Sequence, residues 1–371
     1  MNRFSERLKA LANLDRGLIR NPDESDEEFI LREYRVSLRS KLLLALILVA
    51  VFVLLIGYSL TLGSYRMSMT EAYSALWDYI AGSDSESTAV AAIRLRIIRI
   101  STAVFVGVGL AAAGAAMQSM MKNPLADPYT TGISSGALFG ATLAMTMGIC
   151  IIDGYYGRIL NAFVFAMVPA VFITLLSRWK NPSPAMIILV GISIMFIFNA
   201  FQSYMMLSAD PNSASTVYSW SIGSLGMIEE SQVPIVAVIS LAGLVSLMIL
   251  SRELNALNSG DAYAKSLGIN VDHTRIACLI LISVIAAGIV SFTGIIGFIG
   301  LVSPHIARIF VGADNRVLIP ISALVGAVMM LVCLTVGFLL FNFNLQIGIV
   351  TAMIGGPIFM MILLLKKKEV W

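Results

Sequence analysis

Residues 42–62 read LLLALILVAVFVLLIGYSLTL, and this run decides the fold class. It carries no charged side chain, and its length is what a helix rising 1.5 Å per residue needs to cross a hydrocarbon core of about 30 Å. Nine further apolar runs of similar length follow it. They lie near 100–121, 129–152, 159–177, 185–209, 233–251, 276–292, 293–310, 317–341 and 345–365. The sequence therefore predicts about ten transmembrane helices.

Composition supports the same reading. Hydrophobic residues make up 58% of the 371 residues, and charged residues make up 13%, about half the ~25% usual in soluble proteins. Residues 1–41 hold 17 of the 47 charges, which leaves 30 for the remaining 330 residues. We therefore expect an all-α polytopic protein of the cytoplasmic membrane, surrounded by lipid. A net charge of +3, thinly spread, excludes a nucleic-acid surface.

The connections between the runs predict the orientation. If both termini face the cytoplasm, the cytoplasmic connections hold twenty Lys and Arg residues and the outer ones hold five, as the positive-inside rule requires. We divide the chain into a cytoplasmic tail (1–41), a membrane domain (42–367) and a cytoplasmic end (368–371). The tail is either an amphipathic helix on the membrane surface or a solvated segment. The outer loop 63–95, with Trp77 and Tyr79, is expected to hold a short interfacial helix.

The chemistry available to the chain is limited. The dipeptide Gly-Lys occurs nowhere, so there is no phosphate-binding loop. The chain has two histidines and three cysteines, and the cysteines all fall within apolar runs. We expect no enzyme activity, no bound metal and no cofactor. The middle of every predicted span also lacks Asp, Glu, Lys and Arg, which argues against a proton-driven carrier. Energy for transport would then come from another protein.

Three segments combine small residues with prolines that interrupt helices. The first contains Gln118, then Asn123-Pro124-Leu125-Ala126-Asp127-Pro128, and continues to Ser134-Ser135-Gly136. The second is Gly300-Leu-Val-Ser303-Pro304-His305-Ile306-Ala307-Arg308, and the third is Gly348-Ile-Val-Thr351-Ala352-Met353-Ile354-Gly355-Gly356-Pro357. Pro124 and Pro128 predict a non-helical break between two spans, whose freed backbone Asn123 and Asp127 can cap.

At these residues the chain resembles the iron-siderophore, haem and cobalamin permease family of ATP-binding-cassette importers. The resemblance covers roughly residues 42–367. It implies a ten-span permease that pairs with a second permease subunit, identical or paralogous, around a central pathway. It also implies two cytoplasmic ATPase subunits, which bind ATP and Mg²⁺, and an external substrate-binding protein. The first segment would then line the pathway, and Pro304, His305, Arg308, Gly348, Thr351, Gly355 and Pro357 would be structural. His305 reads as a hydrogen-bonding residue at a helix end, not as a ligand.

The resemblance also implies two contact sites. Residues 254–268 match the loop that couples the family's permeases to their ATPases. Its residues are Leu257, Gly260, Asp261, Ala262, Ala264, Leu267 and Gly268. From the residues alone, we predict a short helix that begins after Gly260 and ends at Gly268. An ordinary interfacial helix is the alternative. Arg96 and Arg99 match positions that face the binding protein, although they could instead be lipid-facing anchors at a span end.

The resulting expectation is a permease that imports a bulky metal chelate. An iron(III)-siderophore is favoured, followed by cobalamin and haem. A standalone secondary carrier of a bulky neutral solute is the alternative function. Near Cys333 and Gly337 many members of the family carry an Asp and an Arg that this chain lacks, which would remove one docking contact.

Overall fold

The computed structural model describes residues 25–82, 87–154, 156–177, 183–341 and 346–365. Within these ranges the chain forms fourteen α-helices and no β-strand. The helices are α1 (Asp26–Ser59), α2 (Met69–Ile80), α3 (Thr88–Met121), α4 (Ile133–Met147), α5 (Gly157–Ser177), α6 (Pro184–Leu207), α7 (Pro211–Ser221), α8 (Val233–Ile249), α9 (Ser251–Ser259), α10 (Asp261–Ser266), α11 (Val271–Thr293), α12 (Ile299–Val311), α13 (Asn315–Phe341) and α14 (Ile347–Leu365). Short 3₁₀ turns occupy Pro128–Thr131, Leu225–Met227 and Glu230–Gln232.

Each of the ten predicted spans coincides with one apolar helix, so the all-helical membrane fold is confirmed. Eight of the described helices are long and apolar enough to cross a membrane. The other two, α4 and α12, have 15 and 13 residues, which gives lengths of about 22 and 20 Å. These two helices begin inside the molecule, at the buried residues Ile133 and Ile299, each after a non-helical connection. The number of crossings and the side on which the termini lie stay predictions.

Some predicted boundaries move. Helix α1 begins at Asp26, so the predicted division at residue 41 falls inside a continuous helix. The rest of the tail, residues 1–24, and the end 368–371 lie outside the described residues. Helix α3 begins at Thr88, twelve residues before the predicted span, because the Ser87 side chain caps it by accepting a hydrogen bond from the Val90 amide.

The short helix expected in the outer loop is present as α2. A capping box fixes its start: the Ser68 side chain accepts from the Glu71 amide, and the Glu71 carboxylate accepts from the Ser68 amide. Hydrogen bonds to this carboxylate from the Ser68 amide, chiefly, and from the Ser68 hydroxyl lower the pKa of the Glu71 carboxyl. Trp77 on this helix is 72% exposed, as an interfacial aromatic residue would be.

Helix α3 forms the centre of the molecule, because glycine and alanine let other helices approach its backbone. A Cβ atom placed on Gly107 would lie 2.4 Å from the Gly326 carbonyl oxygen of α13, and one on Gly114 would lie 1.8 Å from the Gly300 carbonyl oxygen of α12. The stretch Ala111–Ala116 around these positions is buried throughout, Gly114 included. Close backbone contact of this kind replaces hydrophobic burial as the main attraction between helices in lipid.

Polar contacts between the helices form two groups at opposite ends of α3. The group at its C-terminal end joins Ser119, Lys122, Asn255, Asp261, Arg275, Asp314 and Asn315. The group at its N-terminal end joins Tyr79, Arg94 and Glu230. The topology predicts the first group on the cytoplasmic side and the second on the outer side. Each contact thus joins residues that the topology places on the same side of the membrane. We call the two sides inner and outer below.

Candidate translocation pathway and coupling loop

The predicted break between two spans is confirmed and lies between α3 and α4. Helix α3 ends at Met121, and Lys122 follows in the left-handed conformation, with φ of 49°. The Asn123 side chain then accepts from the Leu125 amide at 2.9 Å, and the Asp127 carboxylate accepts from the Tyr129 amide at 2.8 Å. These side chains replace the helical partners that the two prolines remove.

Asp127 is largely enclosed at this break. Burial raises the pKa of its carboxyl to about 6, against the opposing effect of the hydrogen bond from the Tyr129 amide. One of its carboxylate oxygens lies 3.2 Å from the position that a Cβ on Gly300 would take. The break between α3 and α4 therefore packs against the start of α12. Gln118, one turn before the break, donates to the Leu301 carbonyl of the same helix at 3.1 Å.

Beyond the break, α4 packs tightly against α5. A Cβ on Gly136 would lie 2.3 Å from the Phe165 carbonyl oxygen, so only glycine fits there without a shift of the backbone. Ser135 is buried and donates to the Gly132 carbonyl at 2.8 Å, whereas Ser134 is partly exposed. Of the two serines predicted to line the pathway, Ser134 is the more accessible in this structure.

The second motif shapes α12. Pro304 lies inside this helix, so no backbone donor reaches the Gly300 carbonyl four residues earlier. That carbonyl is the group that packs against Gly114 of α3. His305 is 1% exposed, and its ring lies edge-on to Phe359 of α14 with centroids 6.0 Å apart. The motif thus serves packing between α3, α12 and α14.

The third motif packs α14 against two outer connections. A Cβ on Gly348 would lie 1.7 Å from the Ile222 carbonyl oxygen, and one on Gly355 would lie 2.6 Å from Cβ of Phe298. Phe298 begins α12 with a φ of 69°, in the left-handed region that favours glycine. Thr351 is fully buried and donates to the Gly348 carbonyl at 3.0 Å. Pro357 lies inside α14.

The predicted short helix of the coupling loop is present as α10. Gly260 precedes it with a φ of 131°, and Gly268 follows it with a φ of 78°. Ala264 is buried in a small cluster with Ala256, Leu257 and Val271. Leu267, by contrast, is 56% exposed. Ala262 and Tyr263 are exposed beside it.

Asp261, the first residue of α10, makes two ionic contacts. Its carboxylate accepts from Nζ of Lys122 at 2.7 Å and from Nη2 of Arg275 at 3.1 Å. The hydrogen bond from Lys122 chiefly, with that from Arg275, holds the pKa of this carboxyl below its usual value. The carboxylate therefore stays ionised at neutral pH. Lys122 and Arg275 were not among the predicted site residues, since 139 and 14 positions separate them from Asp261.

A second polar network joins the same end of α3 to α9 and α13. The Ser119 hydroxyl donates to the Asn315 side-chain oxygen at 2.7 Å. Asn315 donates through its backbone and side-chain nitrogens to Oδ1 of Asn255, at 2.8 and 2.9 Å. Asn255 in turn donates to Asp314 at 2.7 Å. The sequence analysis missed these residues as well, because isolated Asn and Ser residues carry no motif.

Arg96 departs from its expected position. It lies inside α3 and is 4% exposed, and its guanidinium donates to the backbone carbonyls of Leu60 and Tyr65. Arg96 thereby fastens the connection after α1 to α3 and does not present its charge outward. Arg99, one turn later, is half-buried, with Cζ 6.0 Å from the centroid of the Phe338 ring. Of the three arginines near the start of α3, Arg94 is the most exposed, and it pairs with Glu230 at 2.5 Å.

Among the described residues, no three His, Cys, Asp or Glu side chains come close enough together to hold a metal ion. Apolar helices, a proline break between α3 and α4, and a polar helix exposed at one end define a multi-pass protein of the cell membrane with the organisation of a transport permease. Residues 47–365 match the FecCD transport family. The chain belongs to this family.

Individual relatives agree with the family match. A protein of Methanocaldococcus jannaschii that is provisionally assigned as an ABC transporter permease is 35% identical over 91% of this chain and 99% of its own length. The hemin transport system permease HmuU of Yersinia pestis is 32% identical over 86% of this chain and 96% of its own. A solved structure, provisionally assigned as a metal-chelate type ABC transporter in an inward-facing conformation, is 29% identical and covers 87% of this chain, with a TM-score of 0.76.

Proposed function

We propose that this chain is the transmembrane permease subunit of an ATP-binding-cassette importer that carries an iron(III)-siderophore or a similar metal chelate into the cytoplasm. The observation that carries the proposal is the exposed apolar surface of α10. This short helix stands at the inner end of the molecule and exposes apolar side chains, in a chain that has no phosphate-binding loop of its own. ATP and Mg²⁺ would bind to a separate ATPase subunit that docks there.

The exposed residues of α10 give the proposal a direct test. Tyr263 and Leu267 are 53% and 56% exposed, and apolar residues of this kind form the core of protein interfaces. We expect Leu267→Ser to reduce the amount of partner ATPase that co-purifies with the permease. Ile80→Ser is the matched control, because Ile80 is equally apolar and 67% exposed on the outer helix α2. Equal capture of the ATPase by both variants would rule out α10 as its docking site.

The break between α3 and α4 is the proposed wall of the pathway. Support comes from its position beside α12 and from the small, uncharged residues Ser134, Ser135 and Gly136 that follow it in α4, which suit a bulky and screened cargo. We expect a cysteine at Ser134 to react with a small polar thiol reagent in at least one nucleotide state, in a background with Cys150 replaced by Ala. The native Cys278 and Cys333 are buried and serve as internal controls. Inertness at position 134 in both the nucleotide-free and ATP-trapped states would place this face against packed protein.

The external binding protein is proposed to dock near the outer end of α3. Arg96 is engaged within the chain, so we assign the charged contact to Arg99 alone. Charge pairs at an interface mainly speed association, and salt weakens this effect. We expect Arg99→Gln to slow association of the binding protein at low salt and to have less effect at high salt. An unchanged association rate at low salt would remove Arg99 from the interface.

The assembly and its cargo need one further experiment. We propose two permease copies, either identical or paralogous, with two ATPase subunits and one binding protein. Native mass spectrometry of the purified complex measures this composition, and the same spectra identify the ligand that the binding protein retains. A retained ligand without a metal would overturn the proposed cargo while leaving the permease assignment intact.

A further inference from the structure

The last turn of α3 is the meeting point of four other helices. Within Gln118–Lys122, one side chain reaches α12, another reaches α13, and a third reaches α10. Through Asp261, the third contact continues to Arg275 of α11. Of the residues in this turn only Gln118 was predicted to have a role, yet three of the five make hydrogen bonds to different helices.

Lys122 occupies an unusual position for a non-glycine residue. It caps α3 with a φ of 49°, and its amide donates to the Gln118 and Ser119 carbonyls. This conformation turns the chain out of the helix and directly into the break at Asn123 and Pro124. Nζ of Lys122 meets the Asp261 carboxylate at 2.7 Å, and the two side chains are 32% and 43% exposed. An ion pair with this exposure adds little stability. Its role is therefore to position the two helices that it joins.

The other side of the ion pair is fixed firmly. Arg275, which is 7% exposed at its side chain, holds the second carboxylate oxygen at 3.1 Å. Ala264 packs α10 into the cluster with Leu257 of α9 and Val271 of α11. A displacement of α10 therefore carries the Asp261 carboxylate with it, and the carboxylate in turn pulls or pushes on Lys122.

The part of α3 that precedes the ion pair cannot take up such a displacement by bending. Its middle is locked by backbone contact of Gly107 with α13 and of Gly114 with α12. A helix held this closely moves together with its neighbours. The nearest point outside a helix is the break that begins at Asn123, one residue beyond the ion pair.

We propose that Lys122, Asp261 and Arg275 form the contact that transmits movement of the ATPase-facing helix α10 to the break between α3 and α4. These three are positioning residues, because none of them needs to touch the cargo or ATP. The inference rests on the proposed function, since it presumes an ATPase that moves α10.

The test uses the reconstituted complex of permease, ATPase and binding protein in proteoliposomes, with iron(III)-siderophore as the probe. Uptake and ATP hydrolysis are measured together, so that their ratio reports coupling. We expect Lys122→Met and Asp261→Asn each to lower uptake per ATP hydrolysed about fivefold or more, while the ATPase still co-purifies. The double variant should be no worse than the poorer single variant, because both remove one contact.

Two further variants separate coupling from folding. Lys122→Arg keeps a cation within reach of Asp261, so it should recover most of the ratio. Arg252→Gln removes one positive charge from the exposed surface of neighbouring α9 and should leave the ratio unchanged. Multiplicative losses in the double variant, or wild-type ratios in both single variants, would overturn the proposal. Absence of ATP-dependent uptake by the wild-type complex would instead overturn the proposed function, so the two failures are distinguishable.

Discussion

The two ends of α3 are held in different ways. At the outer end, Arg94 pairs with Glu230 on the surface, with side chains 60% and 44% exposed, and Arg96 binds carbonyls of its own neighbouring connection. At the inner end, one turn bears Ser119 and Lys122, which join two polar networks that involve four other helices. The outer contacts are separate and lie on different connections, whereas the inner contacts converge on one turn of α3.

This difference indicates at which end of α3 a movement can be passed on to other helices. An exposed ion pair such as Arg94–Glu230 contributes about 0–1 kcal/mol and can break without consequence for the helices behind it. The buried contact between Ser119 and Asn315 at the inner end is different, because removing one member leaves other polar groups unsatisfied. The inner end is thus built to keep α9, α10, α11 and α13 in register with α3.

The two ends of α3 can be compared in this way only if the helix is rigid between them. A substitution at Gly114 tests this rigidity. A Cβ there would meet the Gly300 carbonyl at 1.8 Å, so we expect Gly114→Ala to destabilise the folded protein by about 3 kcal/mol or more. Gly337→Ala is the matched control, because its Cβ would meet only Val350 at an ordinary 3.4 Å. The measurement is the yield of monodisperse protein and its thermal unfolding in detergent. Equal behaviour of both variants would mean that α3 adapts.

Asn315 and Glu230 compare the two ends directly. Asn315 is fully buried, and Asn315→Ala leaves Ser119 and Asn255 without their partner, so we expect a loss of about 1–3 kcal/mol. Glu230→Gln weakens an exposed pair and should cost less than about 1 kcal/mol. Thermal unfolding of both variants in the same detergent measures the difference. A larger loss for Glu230→Gln would reverse the comparison.

Arg96 provides a smaller test at the outer end. A lysine at this position keeps the charge, but its donors all leave from one nitrogen, whereas Arg96 reaches the Leu60 and Tyr65 carbonyls with two separate nitrogens. We expect Arg96→Lys to cost about 1 kcal/mol and to speed proteolysis of the connection between α1 and α2. Proteolysis is followed by mass spectrometry, with Arg94→Lys as the control. Unchanged cleavage in Arg96→Lys would show that this arginine does not fasten the connection.

A further prediction concerns the dependence of stability on pH at the break. The folded-state pKa of Asp127 is raised to about 6 from 3.8, so the folded protein binds the proton more tightly than the unfolded chain does. Stability contributed by this group is therefore lost as the pH rises from about 4 to about 6. Asp127→Asn retains the cap on the Tyr129 amide without titrating, so its melting temperature should gain on the wild type across this window and not above it. A constant difference from pH 4.5 to 7.5 would contradict the raised pKa.

Much of the fold could be predicted from the sequence because lipid imposes a simple length rule. Apolar runs located all ten apolar helices, and Pro124 with Pro128 located the break. Glycines around α10 located that helix. Lengths were harder: α3 begins at Thr88 because Ser87 caps it, and α4 and α12 are short because each begins at a buried residue after a non-helical connection.

The polar networks could not be predicted, since they depend on long-range contacts. Lys122 and Asp261 lie 139 positions apart, and nothing near either residue indicates the other. Arg96 shows a different error, because its exposure was predicted and the prediction was wrong. Its place in a motif suggested an exposed docking residue, whereas the helix turns it toward two carbonyls that only the folded connection supplies.

The most direct measurement is uptake of iron(III)-siderophore by proteoliposomes that contain the permease and binding protein, with or without the partner ATPase. The account predicts uptake only when the ATPase and ATP are both present, and no change when ionophores collapse the ion gradients. It also predicts that Lys122→Met lowers uptake but not ATP hydrolysis. Uptake by the permease without the ATPase, driven by an imposed ion gradient, would contradict the account and identify a secondary carrier.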